Sequence, residues 1–185
     1  MGAPVVLRAA ARELRPWKNG SGRTSEVAAC PLGSGMDDFG WRISIADVDA
    51  DGPFSLFPMV QRHIVILSGT LCLRFDDQDR MLSVGEEPFS FSGSSSVVGN
   101  LVDGPVRDLN FMVRSDRYDG HLRIVGPGSS RAASPCTVIV TLQAATIMID
   151  EAKLELHAED ALMVTGPANI ESASSLILAE IRPLP

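Results

Sequence analysis

Trp41-Arg42-Ile43-Ser44-Ile45-Ala46-Asp47-Val48 alternates apolar side chains with polar or small ones, and this spacing of two decides the class of the chain. In an extended strand successive side chains point to opposite faces, so Trp41, Ile43 and Ile45 share one face and Arg42, Ser44 and Ala46 the other. The pattern recurs in both directions. Leu71, Leu73 and Phe75 alternate with Cys72, Arg74 and Asp76, while Phe89 and Phe91, then Leu109, Phe111 and Val113, give further strands. Val138 to Leu142, Ile147 to Ile149, Leu154 to Leu156 and Leu162 to Val164 continue the series. Arg62-His63-Ile64-Val65-Ile66-Leu67 is apolar on both faces after its polar start, as expected of a strand covered on two sides. Many short strands separated by Gly, Pro, Asp and Ser clusters predict an all-β fold of sandwich or jelly-roll type, with almost no helix.

A weak internal echo points to two β modules. Val84-Gly85-Glu86-Glu87-Pro88-Phe89-Ser90-Phe91-Ser92-Gly93 resembles Ala158-Glu159-Asp160-Ala161-Leu162-Met163-Val164-Thr165-Gly166. Residues 115 to 135, with Asp119-Gly120 and Gly126-Pro127-Gly128-Ser129-Ser130, are rich in turn formers, so the boundary is expected there. Residues 1–114 then form a first module and 115–185 a second, smaller one, unless the turn-rich stretch is a loop inside one unit.

Composition narrows the possible partners. With 185 residues and 45% hydrophobic content the chain can bury a sizeable core. A formal net charge of −7 and a pI near 4.9 argue against nucleic acid and anionic membrane surfaces, both of which call for a basic face. No apolar run approaches the ~20 residues that span a bilayer. Cys30, Cys72 and Cys136 are odd in number and far apart, so they read as buried thiols in a reducing compartment rather than a disulfide framework. Asn19-Gly20-Ser21 matches a glycosylation sequon, but the chain opens without an apolar signal region, and a cytoplasmic location is expected.

The run Trp17-Lys18-Asn19-Gly20-Ser21-Gly22-Arg23-Thr24-Ser25-Glu26 gathers donors, a carboxylate and an aromatic ring around two glycines, as a loop that holds a ligand would. It lacks the G-x-x-x-x-G-K-[ST] phosphate loop and the dinucleotide fingerprint. Taken with W-R-I-S-I-A-D-V at 41 to 48, D-G-P-F-S-L-F-P at 51 to 58, Q-R-H-I-V-I-L-S-G at 61 to 69 and D-G-P-V-R-D-L-N-F-M at 103 to 112, it resembles the HutD/Ves family of bacterial proteins. The resemblance covers roughly the first two-thirds of the chain. It implies a cupin-type β fold described as a bicupin, a pocket in the first module, and a regulatory association with histidine utilisation. One position departs: the family's first loop usually carries three consecutive glycines after Asn, and here Ser21 holds the middle place.

Metal-dependent cupins carry a His-x-His pair, a Glu soon after and a later His. This chain has only His63, His121 and His157, each isolated, and Gln61 fills the pair position near His63. No metal and no cofactor are therefore expected. The polar residues inside strands are the remaining candidates. Period two puts Asp108, Asn110, Met112 and Arg114 on one face, and Arg42 shares a face with Ser44; these faces either point into the barrel as a pocket floor or form a solvated surface. The family resemblance favours the pocket for Trp17, Asn19, Thr24, Glu26, Arg42, Asp108 and Asn110, with Ser44 on the Arg42 face, Lys18, Arg62 and Arg107 as weaker candidates, and His63 either lining the pocket or hydrogen-bonded at the edge of the core. An Arg fork fits a carboxylate, Asn both donates and accepts, and Trp17 offers a flat wall. A small carboxylated metabolite of the urocanate or N-formylglutamate kind is the expected partner, with a homodimer possible. A metal-independent isomerase or lyase using Glu26, Asp108 or His63 is the alternative, although no nucleophile elbow or His-Cys arrangement is present. A third reading, a protein-interaction module, would use Phe54, Leu56, Phe57 and Met59 as an exposed patch.

Overall fold

The alternation over 41–48 does form a strand, and all but one of its residues are buried or nearly so because the sheet containing it is covered on both faces. The computed structural model describes residues 2–17 and 20–185. In chain order, β1 (Val5–Leu7) is followed by a 3-10 turn (Ala9–Ala11). Then come β2 (Leu14–Pro16), β3 (Gly22–Cys30), β4 (Trp41–Val48), β5 (Gly52–Pro53), β6 (Val60–Ser68), β7 (Thr70–Arg74), β8 (Asp79–Ser83), β9 (Phe89–Ser92), β10 (Val98–Leu101) and β11 (Val106–Arg114). The last group is β12 (Tyr118–Val125), β13 (Gly128–Ala132), β14 (Cys136–Thr141), β15 (Ala145–Ile149), β16 (Ala152–Leu156), β17 (Ala161–Thr165), β18 (Ala168–Ser172) and β19 (Leu176–Pro183). No helix among the described residues is long and apolar enough to cross a membrane.

The chain divides into two compact units. Glu13–Arg117 forms one, with a six-stranded sheet in the order β2-β3-β4-β11-β6-β9 and a four-stranded sheet in the order β5-β10-β7-β8. Their inner faces share a core of Ala46, Val48, Ile64, Ile66, Leu71, Leu73, Leu82, Phe91, Val97 and Val106. Edge-on contacts of Phe75 with Phe89 and Phe91, and of Phe54 with Phe91, close one end of that core. Along β4, β6 and β11 the outer residues Ile43, Ile45, Val65, Leu109 and Phe111 are also buried, which is why the 62–67 segment carries no polar alternation.

The second unit joins the residues up to Arg12 with Tyr118–Pro185. It pairs a five-stranded sheet, β1-β17-β14-β19-β12, with a four-stranded sheet, β13-β18-β15-β16. Between them Ile139, Ile147, Ile149, Leu162, Ile170 and Leu178 form an aliphatic core. The two segments of the internal echo are both a turn leading into a strand, β9 in the first unit and β17 in the second.

Three expectations differ from the structure. The turn-rich region 115–135 contains two full strands: β12 pairs with β19 along its whole length and β13 pairs with β18, so backbone ladders override the turn propensity of the Gly and Ser residues there. The division also falls at 117/118 rather than 114/115, and the N-terminal strand belongs to the second unit because Val5, Val6 and Leu7 pair with Met163, Leu162 and Ala161. Cys30, Cys72 and Cys136 are half-buried rather than buried. Cys72, for example, sits on the strand face opposite the fully buried Leu71 and Leu73.

Asp160 fastens the N-terminal segment within the second unit. Its carboxylate, 1% exposed, accepts hydrogen bonds from the Ala9 N–H (2.7 Å), the His157 N–H (2.9 Å) and Arg8 Nη1 (2.7 Å). Burial alone would raise its pKa, but these donors outweigh it and hold the carboxyl below the ordinary range. Asp160→Ala, which strips the Ala9 and His157 amides of their acceptor, should lower stability by roughly 1–3 kcal/mol. It should also expose the segment around residues 8–12 to limited proteolysis; an unchanged melting temperature and digestion pattern would show that the carboxylate does not anchor it.

Candidate ligand-binding cavity

Strand register explains how polar residues come together inside the Glu13–Arg117 unit. Pairing of β11 with β4 and β6 places Arg42, Met112 and Arg62 in one row across three strands. Glu26, Ser44, Asn110 and Ile64 form the next row, and Thr24, Ala46, Asp108 and Ile66 the one after. Strands lie ~4.8 Å apart, so each row is a line of neighbouring side chains on one face. That face points inward, and the polar side chains on it line a cavity of about 570 Å³. The walls are Trp17, Ser34, Met36, Pro53, Phe54 and Phe57, with Gly99 beneath Phe54.

The charges inside are unequally matched. Arg42, 9% exposed, donates from Nε to Glu26 Oε2 at 3.0 Å. Arg62, 6% exposed, lies against the rings of Phe54 (4.8 Å), Phe91 (5.1 Å) and Phe57 (5.9 Å). Its Nη1 reaches the Ser55 carbonyl at 3.4 Å, and its Nε has no hydrogen-bond partner among the described residues. Burial lowers the Arg62 pKa to about 10, opposed by the Asp108 charge. Asp108 is 2% exposed, and burial pushes its carboxyl up to about 7 against the pull of Arg62. The Oδ1 atoms of both Asp108 and Asn110 are buried without a partner among the described residues, as is the Ser34 hydroxyl. Such atoms are costly in a folded interior unless something satisfies them.

The loop before β3 supplies the aromatic wall. The Trp17 indole N–H donates to Thr24 Oγ1 at 2.7 Å, which fixes the ring against the cavity. Gly22 must be glycine on steric grounds: a Cβ there would lie 2.4 Å from the Asp47 carbonyl oxygen and 3.1 Å from the Trp17 ring. Gly20 takes a positive φ of 72°, whereas Ser21 is not among the described non-glycine residues with positive φ. Serine therefore occupies the middle position without backbone strain and contributes to the lining.

Of the residues singled out by sequence, the fold brings Trp17, Thr24, Glu26, Arg42, Ser44, Arg62, Asp108 and Asn110 to this cavity. His63 is not there. It alternates out of register with Arg62, stacks on Phe111 at 5.4 Å and meets Ser90 Oγ at 2.7 Å on the other side of the sheet. Arg107 points to that same outer side, pairing with Asp47, which also binds Arg23 at 2.7 Å. Lys18 and Asn19 lie outside the described residues. Leu56 and Met59 are exposed, but Phe54 and Phe57 are half-buried in the cavity wall, so the four do not form a single surface patch. Arg15, Ser34 and Met36 also line the cavity. Nothing in the alternation marks Ser34 and Met36, since they sit in the connection between β3 and β4. No group of three or more His, Cys, Asp or Glu residues among those described is arranged to hold a metal ion.

Asp108 makes a pH-dependent contribution to stability. Because its folded pKa lies above the ordinary 3.8, the folded state holds the proton more tightly, and stability is lost as pH rises from about 4 through about 7. Asp108→Asn removes this loss. The variant should gain stability relative to the parent between pH 5 and pH 8, on the order of a few kcal/mol, in denaturant melts at both values. A constant difference between the two proteins would show that Asp108 ionises without penalty.

The HutD family model matches residues 9–178. An uncharacterized 21.2 kDa protein in the hutC 3' region of Pseudomonas putida is 36% identical over 153 residues, covering 82% of this chain and 80% of its own. Protein Ves of Citrobacter koseri is 38% identical over 110 residues, 58% of this chain and 56% of that one. The solved structure of HutD from Pseudomonas fluorescens superposes with a TM-score of 0.86 at 32% identity, covering 99% of this chain and all (100%) of that chain. A cupin 2 conserved barrel domain protein from Leptotrichia buccalis, 8% identical over 85% of this chain and 86% of its own, has a TM-score of 0.55 and shares the fold alone. The matched family model, the relatives and the shared jelly-roll architecture together make this chain a member of the HutD family with a cupin-type β fold.

Proposed function

We propose that this HutD-family protein binds a small carboxylate metabolite, of the urocanate or N-formylglutamate kind, in the cavity of its Glu13–Arg117 unit, and that occupancy regulates histidine utilisation in the cytoplasm. The observation that carries this reading is the uncommitted edge of Arg62, a buried guanidinium whose Nε lacks a partner among the described residues, beside the unpartnered Asn110 and Asp108 oxygens. A planar carboxylate fits the guanidinium fork, and an amide or imidazole N–H fits the waiting oxygens. Trp17, Met36 and Phe54 supply apolar walls, and the cavity volume lies in the range of small-molecule sites, about 300–1,000 Å³. The P. putida relative comes from the hutC 3' region, and the P. fluorescens HutD structure is of a formate condition, formate being the simplest carboxylate. Each unit pairs a larger with a smaller antiparallel sheet, which supports describing the molecule as a bicupin.

One observation favours a second reading. A cavity carboxyl with a pKa near 7 is what a proton-transferring isomerase or lyase needs, and Asp108 has one. Product formation from any bound pathway acid would select that reading; saturable binding without product selects the sensor.

A thermal-shift panel of histidine, urocanate, N-formylglutamate, glutamate and formate is the direct test, since ligand at 100 times its Kd adds ~2.7 kcal/mol to stability. A selective, saturable rise in Tm is expected for at least one acid. Arg42→Ala and Asn110→Ala should each weaken its binding by more than about tenfold, charged hydrogen bonds being worth ~1.5–3 kcal/mol. Arg62→Met keeps an apolar stem among the phenyl rings, so it should fold with equal or greater stability while losing binding by a similar factor. No shift with any acid, or unchanged affinity in all three variants, would overturn the assignment.

A further inference from the structure

We propose that the bound carboxylate is held against the acid form of Asp108, so that a ligand arriving at the ionised site brings one proton into the cavity with it. The inference rests on the carboxylate-binding reading above and deepens it.

Asp160, which is buried, and Asp47 and Glu180, which are half-buried, show what an ionised carboxylate requires here. Asp160 accepts two backbone N–H groups and Arg8. Asp47 is paired with Arg23 and Arg107, and Glu180 accepts from Arg123 at 2.9 Å. All three titrate below the ordinary range, their donors outweighing burial. Asp108 is as inaccessible to solvent as Asp160, yet its Oδ1 has no donor among the described residues, and burial raises its pKa to about 7. The site favours the acid.

Charge counting extends this to the complex. Among the described residues, the charged side chains lining the cavity are Arg15 on β2, Glu26 on β3, Arg42 on β4, Arg62 on β6 and Asp108 on β11. The facing four-stranded sheet contributes Gly52, Pro53 and Gly99, which do not titrate, while Asp47 and Arg107 act on Asp108 from the other side of its sheet with opposite sign. Arg15 is exposed and already bonded to Glu13, and Arg42 is matched by Glu26. Among the described residues one buried cation, Arg62, remains for two anions if Asp108 stays ionised when a carboxylate arrives. With Asp108 protonated, Arg62 and one ligand carboxylate neutralise each other, and the acid O–H donates to an oxygen of that carboxylate in a short, charge-assisted bond. The proton comes from solvent, and no bond to carbon changes.

Calorimetric titration with N-formylglutamate and with formate, neither of which changes ionisation between about pH 6 and about pH 8.5, reads the proton directly. For the unmodified protein, Kd should rise by up to about tenfold per pH unit above the Asp108 titration, with proton uptake approaching one per ligand in buffers of different ionisation enthalpy. Asp108→Asn, whose amide donates in place of the acid, should hold Kd constant within about twofold over the same range and take up no proton. A flat profile in the unmodified protein, or a retained slope in Asp108→Asn, would overturn this inference and leave carboxylate binding standing. Absence of saturable binding by both acids at every pH would overturn the inference together with the reading it rests on.

Discussion

Burial of Arg42, Arg62 and Asp108 on the inner face of a cupin-type sheet is the constraint to which the rest of the Glu13–Arg117 unit is fitted. An antiparallel sheet that closes over a core would ordinarily carry aliphatic side chains there, and replacing buried ions by such residues is often neutral or stabilising. Here the inner face is split. Toward β6 and β7 it is closed by Ile64, Ile66, Leu71 and Leu73, while toward β3 and β4 it carries polar groups around an open volume. Neighbouring parts follow from that division. Three phenyl rings flank the Arg62 guanidinium, and Gly99 is small because a Cβ there would press to 2.8 Å on the Phe54 ring that covers it. Trp17 is fixed by a hydrogen bond instead of by packing alone.

The second unit shows the same layering without that cost. Its inner cluster, from Ala132 to Leu178, is aliphatic throughout, and its buried carboxylate, Asp160, has a donor for each direction from which it is approached. Full satisfaction of that group fits a structural role, whereas partial satisfaction of Asp108 and Asn110 fits a site whose hydrogen bonds are completed from outside the chain. The two carboxylates titrate on opposite sides of their ordinary value for this reason, although both are almost wholly inaccessible.

Much of this could be read from the order of residues. Period-two alternation identified β4, β7 and β11 and showed that Arg42 shares a face with Ser44, and Asp108 with Asn110. It could not say which face points inward, because Trp41 and Ile43 are as buried as the cavity side: both faces of this sheet are covered. His63 and Arg62 are adjacent in sequence, yet a single step along a strand reverses the face, and the two lie on opposite sides of the sheet. Ser34 and Met36 sit in a connection whose path depends on contacts such as Phe39 with Phe57, remote in sequence and invisible to any periodic pattern. β12 was obscured because turn-forming residues within it are outvoted by an eight-residue ladder to β19, a partner more than fifty positions away.

The membership of β1 in the second unit bears on how the molecule is made. Val5–Leu7 is synthesised ahead of Ala161–Met163, on which it pairs, by about 155 residues, a wait of roughly 8–30 s at ordinary synthesis rates. Everything needed for the cavity-bearing unit emerges in between. Vectorial synthesis therefore favours an order in which the inner stretch of sequence folds first while a short apolar segment ahead of it stays without its β-ladder. Val5–Leu7 is then added as an edge strand of a sheet completed after the cavity-bearing unit has been synthesised.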